Sequence, residues 1–270
     1  MAPGYSESMG SRTLAVVMLS TVAGCGRLGF DDQNGPPDDQ MVSGSSPDQI
    51  ANLIAHWSFD DLTASSIADS IGGNTASCVG NVCPAATTGI VGTAASFDGS
   101  TCLRIPSLDT FQGSSFTISS WIQIAGAATG PLVVHENYGG CPSPEMAVTN
   151  GSLGLLQLNQ SDGHNEAWSP SAMAPTWHHV AVRWDGSEQR LYTDSTCCTL
   201  TPSVAPVAAS TAEFTIGCYP ANSAAFVGAM DEVRLYDRAL TSAEIAMLVE
   251  VGAAMPTFDT CDALCTDAAP

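Results

Sequence analysis

The chain reads as an all-β protein, an antiparallel β-sandwich with one short helix near its C-terminal end. Three observations predict this. From residue 53 onward, short apolar runs alternate with clusters of Gly, Asn, Asp and Pro, as strands alternate with turns. Within such a run, FTISSWIQI at 116–124, Phe116, Ile118, Ser120, Ile122 and Ile124 fall on one face, and Thr117, Ser119, Trp121 and Gln123 on the other. Finally, FVGAMDEVRLYDRALTSAEIAML at 226–248 passes from a strand period to a capped helix. Val227, Ala229, Asp231, Val233 and Leu235 alternate with Met230, Glu232, Arg234 and Tyr236, and Thr241 with Glu244 then has capping-box spacing ahead of Ile245, Met247 and Leu248.

In chain order, residues 1–24 read as an export signal, in which Arg12 precedes an apolar run, 13–22, that ends in Val22, Ala23, Gly24 and Cys25. The run is shorter than the roughly 20 apolar residues that span a bilayer. Small residues before a cysteine resemble the lipobox of bacterial lipoproteins. That resemblance implies acylation of Cys25 as the first mature residue, membrane contact only through this anchor and, with Gly26 rather than aspartate following, the outer membrane. The other reading is an ordinary cleaved signal that leaves Cys25 a thiol. Glu7 is odd for the head of a signal, so Met9 competes with Met1 as initiator. Residues 25–50, rich in Asp, Pro, Gly and Ser, bury too little apolar surface to fold and read as a disordered tether.

Residues 51–252 form the expected sandwich, with strands at 54–59, 94–98, 102–105, 116–124, 153–158, 177–184, 189–193, 214–217 and 226–236. WHHVAVRW and QRLYTD flank Asp185 and Gly186, a pair that accommodates positive backbone angles, and so read as a hairpin. The tail at 253–270 is acidic, Cys-bearing and reads as loose.

A chain of 270 residues, 44% hydrophobic, holds one sandwich of roughly 200 residues plus tails. Its formal net charge is −20, and all seven basic residues are arginines, scattered along the chain. Nucleic acid and anionic lipid surfaces are therefore excluded as partners. Ten cysteines in an exported chain read as disulfides. With Cys25 set aside, nine remain: Cys78, Cys83, Cys102, Cys141, Cys197, Cys198, Cys218, Cys261 and Cys265. Cys78 with Cys83 and Cys261 with Cys265 are close enough for short loops, but spacing does not fix connectivity. Cys197 and Cys198 are neighbours that would face opposite sides of a strand and so have different fates. No paired CxxC units support zinc.

Several runs, in this order, resemble the laminin G-like jelly roll of the concanavalin A-like lectin and glucanase superfamily. They are AHWSFDD (55–61), ADSIGGN (68–74), AASFDGSTCLRIP (94–106), FTISSWIQI, TWHHVAVRWDGSEQRLYTDS (176–195) and the closing strand and helix. Together they cover about 200 residues. Ser195 departs from the glycine usual after the Tyr-x-Asp of the hairpin, and Gln123 and Ile124 lack the polar ending often seen there. The resemblance implies a concanavalin A-like antiparallel sandwich. It also implies a structural calcium, whose matching positions are Asp69 and Asn74 in the first loop, Asp231 in the late strand and Asp60. Asp231 with an arginine such as Arg183 or Arg234 is the other reading, since an unpaired carboxylate on an apolar face is costly.

No catalytic constellation stands out. His178 and His179 are adjacent on a strand and cannot both reach one ion. Asp231 and Glu232 fail in the same way as the pair of a retaining glycosidase, which requires carboxyls about 5 to 5.5 Å apart across the sugar. Tyr138, Trp168 and Tyr219 lie in polar stretches and are candidates for stacking on pyranose rings. The reading is a surface-anchored, non-catalytic binding module for glycan or a surface protein. A structural or adhesive interaction domain and a divergent glycan-active hydrolase are the alternatives.

Overall fold

The alternating runs pair into two sheets that stack face to face, the all-β sandwich expected from the sequence. The computed structural model describes residues 46–250, apart from 63–64, 107, 109–110, 112–113, 127, 137–141, 159–163, 195, 201–212 and 220–224, together with 263–264. Cys25, Tyr138, Cys141, Cys261 and Cys265 lie outside the described residues, as do the signal segment and most of the tether and tail.

The strands are β1 (Leu53–Trp57), β2 (Ser66–Ile67), β3 (Ala76–Cys78), β4 (Ala85–Thr88), β5 (Thr93–Asp98), β6 (Leu103–Ile105), β7 (Phe116–Ile124), β8 (Gly130–Glu136), β9 (Pro142–Thr149), β10 (Ser152–Leu158), β11 (His164–Trp168), β12 (Trp177–Trp184), β13 (Gln189–Thr193), β14 (Thr196–Leu200), β15 (Phe214–Ile216), β16 (Val227–Tyr236) and β17 (Ala263–Leu264). The first sheet runs β17-β14-β13-β12-β7-β16-β5-β4, with β1 also on β16, and the second runs β11-β10-β9-β8-β15-β6-β3-β2. All nine expected strands form. Neither β8 nor β9 is among the expected strands, because each carries proline, which normally disqualifies an interior strand. Register shifts at Pro131 and beside Glu136 accommodate them.

Inward-facing side chains of the two sheets make one core. Phe116, Ile118 and Ile122 of β7 and Val180 and Val182 of β12 meet Leu132, Met146, Leu153, Leu155, Phe214 and Ile216 of the second sheet. Burying each such side chain is worth about 1.5–3 kcal/mol. A smaller cluster forms on the outer side of the first sheet, where helix α1 (Ser242–Val249) lays Ile245 and Leu248 over Tyr192, Ala181 and Tyr236. Thr241 accepts the Glu244 amide while the Glu244 carboxylate accepts the Thr241 amide, so the expected capping box is present.

Two terminal segments join the fold against expectation. Ser46 to Ile50, read as tether, make a capped 3-10 turn whose Ile50 enters the smaller cluster. Ala263–Leu264, read as loose tail, pairs in parallel with β14.

The face assignment of the closing strand also needs correction. Between Asp231 and Arg234, β16 carries one residue more than β7 opposite, a β-bulge in which Glu232 has φ 55°. Met230 faces the core before the bulge, and Val233 and Leu235 face it after. Asp231 therefore sits opposite Trp121 on the outer side with Ala229 rather than sharing a face with Val233.

Cys78 bonds Cys83 and Cys102 bonds Cys218, with Cα separations of 5.0 and 5.3 Å. Cys197 and Cys198 are also disulfide-bonded. As alternation requires, Cys198 lies in the main core and Cys197 in the outer cluster.

Candidate functional site

The four residues assigned to calcium form two separate loop anchors. Asp69 organises the first loop. Its Oδ1 accepts the His56 and Ile71 amides at 2.8 and 2.9 Å, and its Oδ2 accepts the Gly72 and Asn74 amides and the Asn74 side-chain amide at 2.9 to 3.0 Å. Burial opposes its charge, but these donors outweigh burial and hold its carboxyl below the usual carboxylate range. Five donors fill the lone pairs that a cation would need.

Asp231 and Asp60 grip a different loop, the β4–β5 turn. Asp231 Oδ2 accepts the Ile90 and Val91 amides at 2.8 and 3.0 Å, and Asp60 Oδ1 accepts the Thr93 amide at 2.8 Å. Neither arginine weighed as its partner is the one that holds Asp231: Arg183 pairs with Asp185 and Glu188, and Arg234 with Glu232 and Asp48. The Oδ1 of Asp231 is buried with no hydrogen-bond partner. Burial, opposed by the Val91 and Ile90 amides and reinforced by the Glu232 charge, pushes its pKa up to about 6. Among the described residues, no three His, Cys, Asp or Glu side chains gather into a metal-binding group. Asp69 and Asn74 thus do not fit the calcium set, whereas Asp231 and Asp60 share one turn and leave a buried oxygen without a donor.

The two histidines of β12 part as alternation demands. His179 packs edge-on against Trp121 on the outer side, with ring centroids 5.4 Å apart, and burial, then Arg234, pushes its pKa down to about 3. It is a neutral core residue. His178 points to the inner side, where Nδ1 meets Asp194 Oδ2 at 2.5 Å and Nε2 meets Thr176 Oγ1 at 3.2 Å. The Asp194 backbone N–H donates to the His179 carbonyl, and Asp194 Oδ1 accepts the His179 amide. The carboxylate is therefore fixed at the end of β13, and the imidazole is oriented from both nitrogens.

His178 and Asp194 border a cavity of about 280 Å³ between the sheets at one end of the sandwich. Its floor is apolar, made by Leu191, Met173 and the Cys198 side chain, which belong to the main core. The β11–β12 connection walls it with Ser169, Pro170, Ser171, Ala172 and Ala174, and Thr193 lines it beside Asp194, its own hydroxyl oxygen buried. An apolar floor under convergent hydroxyl, imidazole and carboxylate groups is the composition of small-molecule pockets, and the volume falls just below their usual range of roughly 300–1,000 Å³. Alternation along β12 gives His178 a structural place only, and nothing in the sequence points to Asp194. The available signal was the inward position of His178 at the start of β12, two residues before Val180.

Of the aromatic candidates, Trp168 and Tyr219 lie within the described residues. Trp168 ends β11 and lies across Gly154 of β10, where a Cβ would come within 2.5 Å of the ring, and it is buried. Its Nε1–H donates to Glu166 Oε2 at 3.3 Å. Tyr219 donates to Glu145 Oε1 at 2.5 Å. Glu145 and Glu166 lie on the outer side of the second sheet, on strands separated only by β10. Burial, opposed by the Tyr219 hydroxyl and reinforced by Glu166, pushes the Glu145 pKa up to about 7. Trp168 and Tyr219 thus surround a pair of carboxylates and do not present open stacking platforms.

This two-sheet sandwich, with one short capped α-helix among the described residues, is of the concanavalin A-like kind. A family model described as the concanavalin A-like lectin/glucanases superfamily matches residues 97–246, more than half of the chain, and the protein belongs to that family. No curated protein sequence matches it. Among solved structures, domain 4 of AbnA, a GH43 extracellular arabinanase from Geobacillus stearothermophilus in complex with arabinotriose, aligns at TM-score 0.59 and 20% identity over 75% of this chain and 98% of that one. The binding domain of Paraclostridial Mosquitocidal Protein 1 aligns at 0.57 and 16%, over 73% of this chain and 52% of its own. Trypanosoma rangeli sialidase in complex with the inhibitor DANA aligns at 0.55 and 16%, over 74% of this chain but only 34% of its own. The chain thus spans about half of the second and a third of the third. At these identities the likeness concerns the fold.

Proposed function

We propose that the chain is a non-catalytic glycan-binding module held at the bacterial outer membrane through acylated Cys25. The observation that carries the binding reading is the cavity beside His178 and Asp194, whose apolar floor suits the C–H face of a sugar ring and whose rim suits its hydroxyls. The fold is shared with an arabinanase domain in complex with arabinotriose, which supports the same reading. A glycan array probed with the intact domain, with and without calcium, is the direct test. Saturable binding to one glycan class is expected, and no binding under either condition overturns the proposal.

One observation favours a hydrolytic reading. Glu145, with its raised pKa near Glu166, has the character of a general acid beside a second carboxylate. However, Glu145 is only 2% exposed and its Oε1 already accepts Tyr219, so the pair is not presented to a substrate. Reducing-sugar release from array-positive glycans would establish hydrolysis, and none is expected.

The anchor predicts that Cys25→Ala moves the protein from the membrane fraction to the soluble one. An unchanged membrane-bound pool would show that Cys25 is not acylated.

We place calcium at Asp231, with Asp60 across the same turn, because Asp231 Oδ1 is buried without a donor. An ion bound only by the folded state adds RT ln(1 + [L]/Kd), about 2.7 kcal/mol at a hundredfold excess over Kd. Calcium should therefore raise the melting temperature by several degrees, at roughly 2 to 4 °C per kcal/mol. Asp231→Asn should remove most of that response. Identical melting of the wild type in calcium and in chelator overturns the assignment.

A further inference from the structure

We propose that the cavity beside His178 accepts an uncharged sugar unit and rejects a sugar bearing a carboxylate. This rests on the glycan-binding reading and adds the class of sugar. The wall carries the Asp194 carboxylate, which Nδ1 of His178 holds at 2.5 Å. Whether His178 is neutral or protonated, the pair has no net positive charge. Among the described residues no arginine lines the cavity, and the sequence contains no lysine.

Nor is an arginine elsewhere in the described residues held in reserve. Arg104 pairs with Glu213, Arg183 with Asp185 and Glu188, Arg190 with Glu188, Arg234 with Glu232 and Asp48, and Arg238 with Glu244. A sugar carboxylate entering this cavity would lose its water beside Asp194 with nothing to neutralise it, and like-charge juxtaposition of this kind is a strong means of rejecting a ligand. A hydroxymethyl group at the same ring carbon meets no such penalty. It can donate to Asp194, and its oxygen can take the place of Thr176 Oγ1 at Nε2 of His178, which the structure holds at 3.2 Å. The net charge of −20 acts in the same direction at longer range.

The test uses matched probes that differ only at C6, glucose against glucuronic acid and galactose against galacturonic acid, both free and as the terminal unit of short oligosaccharides. Titration calorimetry of the intact domain at low salt should give binding at least about tenfold tighter for the neutral member of whichever pair binds. Asp194→Asn should narrow that ratio. Because Asp194 also closes the end of β13, a second variant, Ser171→Lys, places a cation at an exposed position on the rim and should bring the carboxylated member into range without touching that turn. Equal or tighter binding of the acidic members by the wild type overturns the inference and leaves the glycan-binding reading standing. Binding of neither member of any pair, nor of any array glycan, overturns that reading itself.

Discussion

Arg234→Ala should cost about 3–5 kcal/mol, because it strands a buried carboxylate. Arg234 is 4% exposed, bonds Glu232 Oε2, and reaches Asp48 Oδ1 through Nε and Nη2 at 3.2 and 3.1 Å. On its other side Glu232 meets Nε2 of His56 at 3.2 Å, and Nδ1 of His56 meets Ser70 Oγ at 3.0 Å. Burial opposes the Glu232 charge, and the His56 and Arg234 contacts outweigh it, holding that carboxyl below its ordinary range. With Arg234 removed, His56 is the only charge partner left to it in this group, and the midpoint of thermal unfolding should fall by on the order of 10 °C. Pairing Arg234→Met with Glu232→Gln removes both charges and should recover most of the loss, since the penalty lies in the unpaired ion. A single substitution that melts within 2 °C of the wild type, taking ~2 °C as negligible on this scale, would show that the network is solvated and carries little energy.

Glu145 provides the second large effect, and its sign depends on pH. Its folded pKa of about 7 stands above its ordinary 4.5, so the folded state binds its proton more tightly than the unfolded chain. The associated stability is fully present below about pH 4.5, declines as pH rises and is lost above about pH 7, a total of order 3 kcal/mol. Glu145→Gln keeps an oxygen for the Tyr219 hydroxyl and carries no charge. The variant should match the wild type near pH 4 and melt several degrees higher at pH 8, although the protein already carries a large excess of acids. Comparing the two proteins at each pH cancels the titration of the other carboxylates. An offset independent of pH would mean that Glu145 titrates normally in the folded state.

Much of the architecture was legible because period-2 patterning is a local property. FTISSWIQI places Phe116, Ile118 and Ile122 in the core as written, and the spacing of Thr241 and Glu244 gives the helix its start. Legibility ended where a single inserted residue changed the register. The bulge at Glu232 turns Asp231 away from the face it would share with Val233, and nothing in the local sequence marks a positive φ at glutamate. The loop anchors were half legible. Asp69 and Asn74 do act together, but on each other and on backbone amides, whereas Asp231 works on a turn 140 residues away in sequence. The cavity was least legible of all. Its walls come from four separate segments, and Met173, Leu191 and Cys198 read in sequence only as core residues. Opposite faces for His178 and His179 followed from alternation, yet alternation does not tell which face opens to a cavity.

On the proposed reading, the cavity at the end of the sandwich receives a sugar. The most direct measurement is a titration of the isotopically labelled domain with an array-positive oligosaccharide, following backbone amide resonances by NMR. Saturable shifts should concentrate at 169–174, His178, Thr193 and Asp194, and they should vanish in Ala174→Trp, which fills the cavity from an exposed position without disturbing the core. Saturable shifts centred instead on Glu145, Glu166 and Tyr219, or binding that survives in the filled variant with its affinity unchanged, would contradict the account.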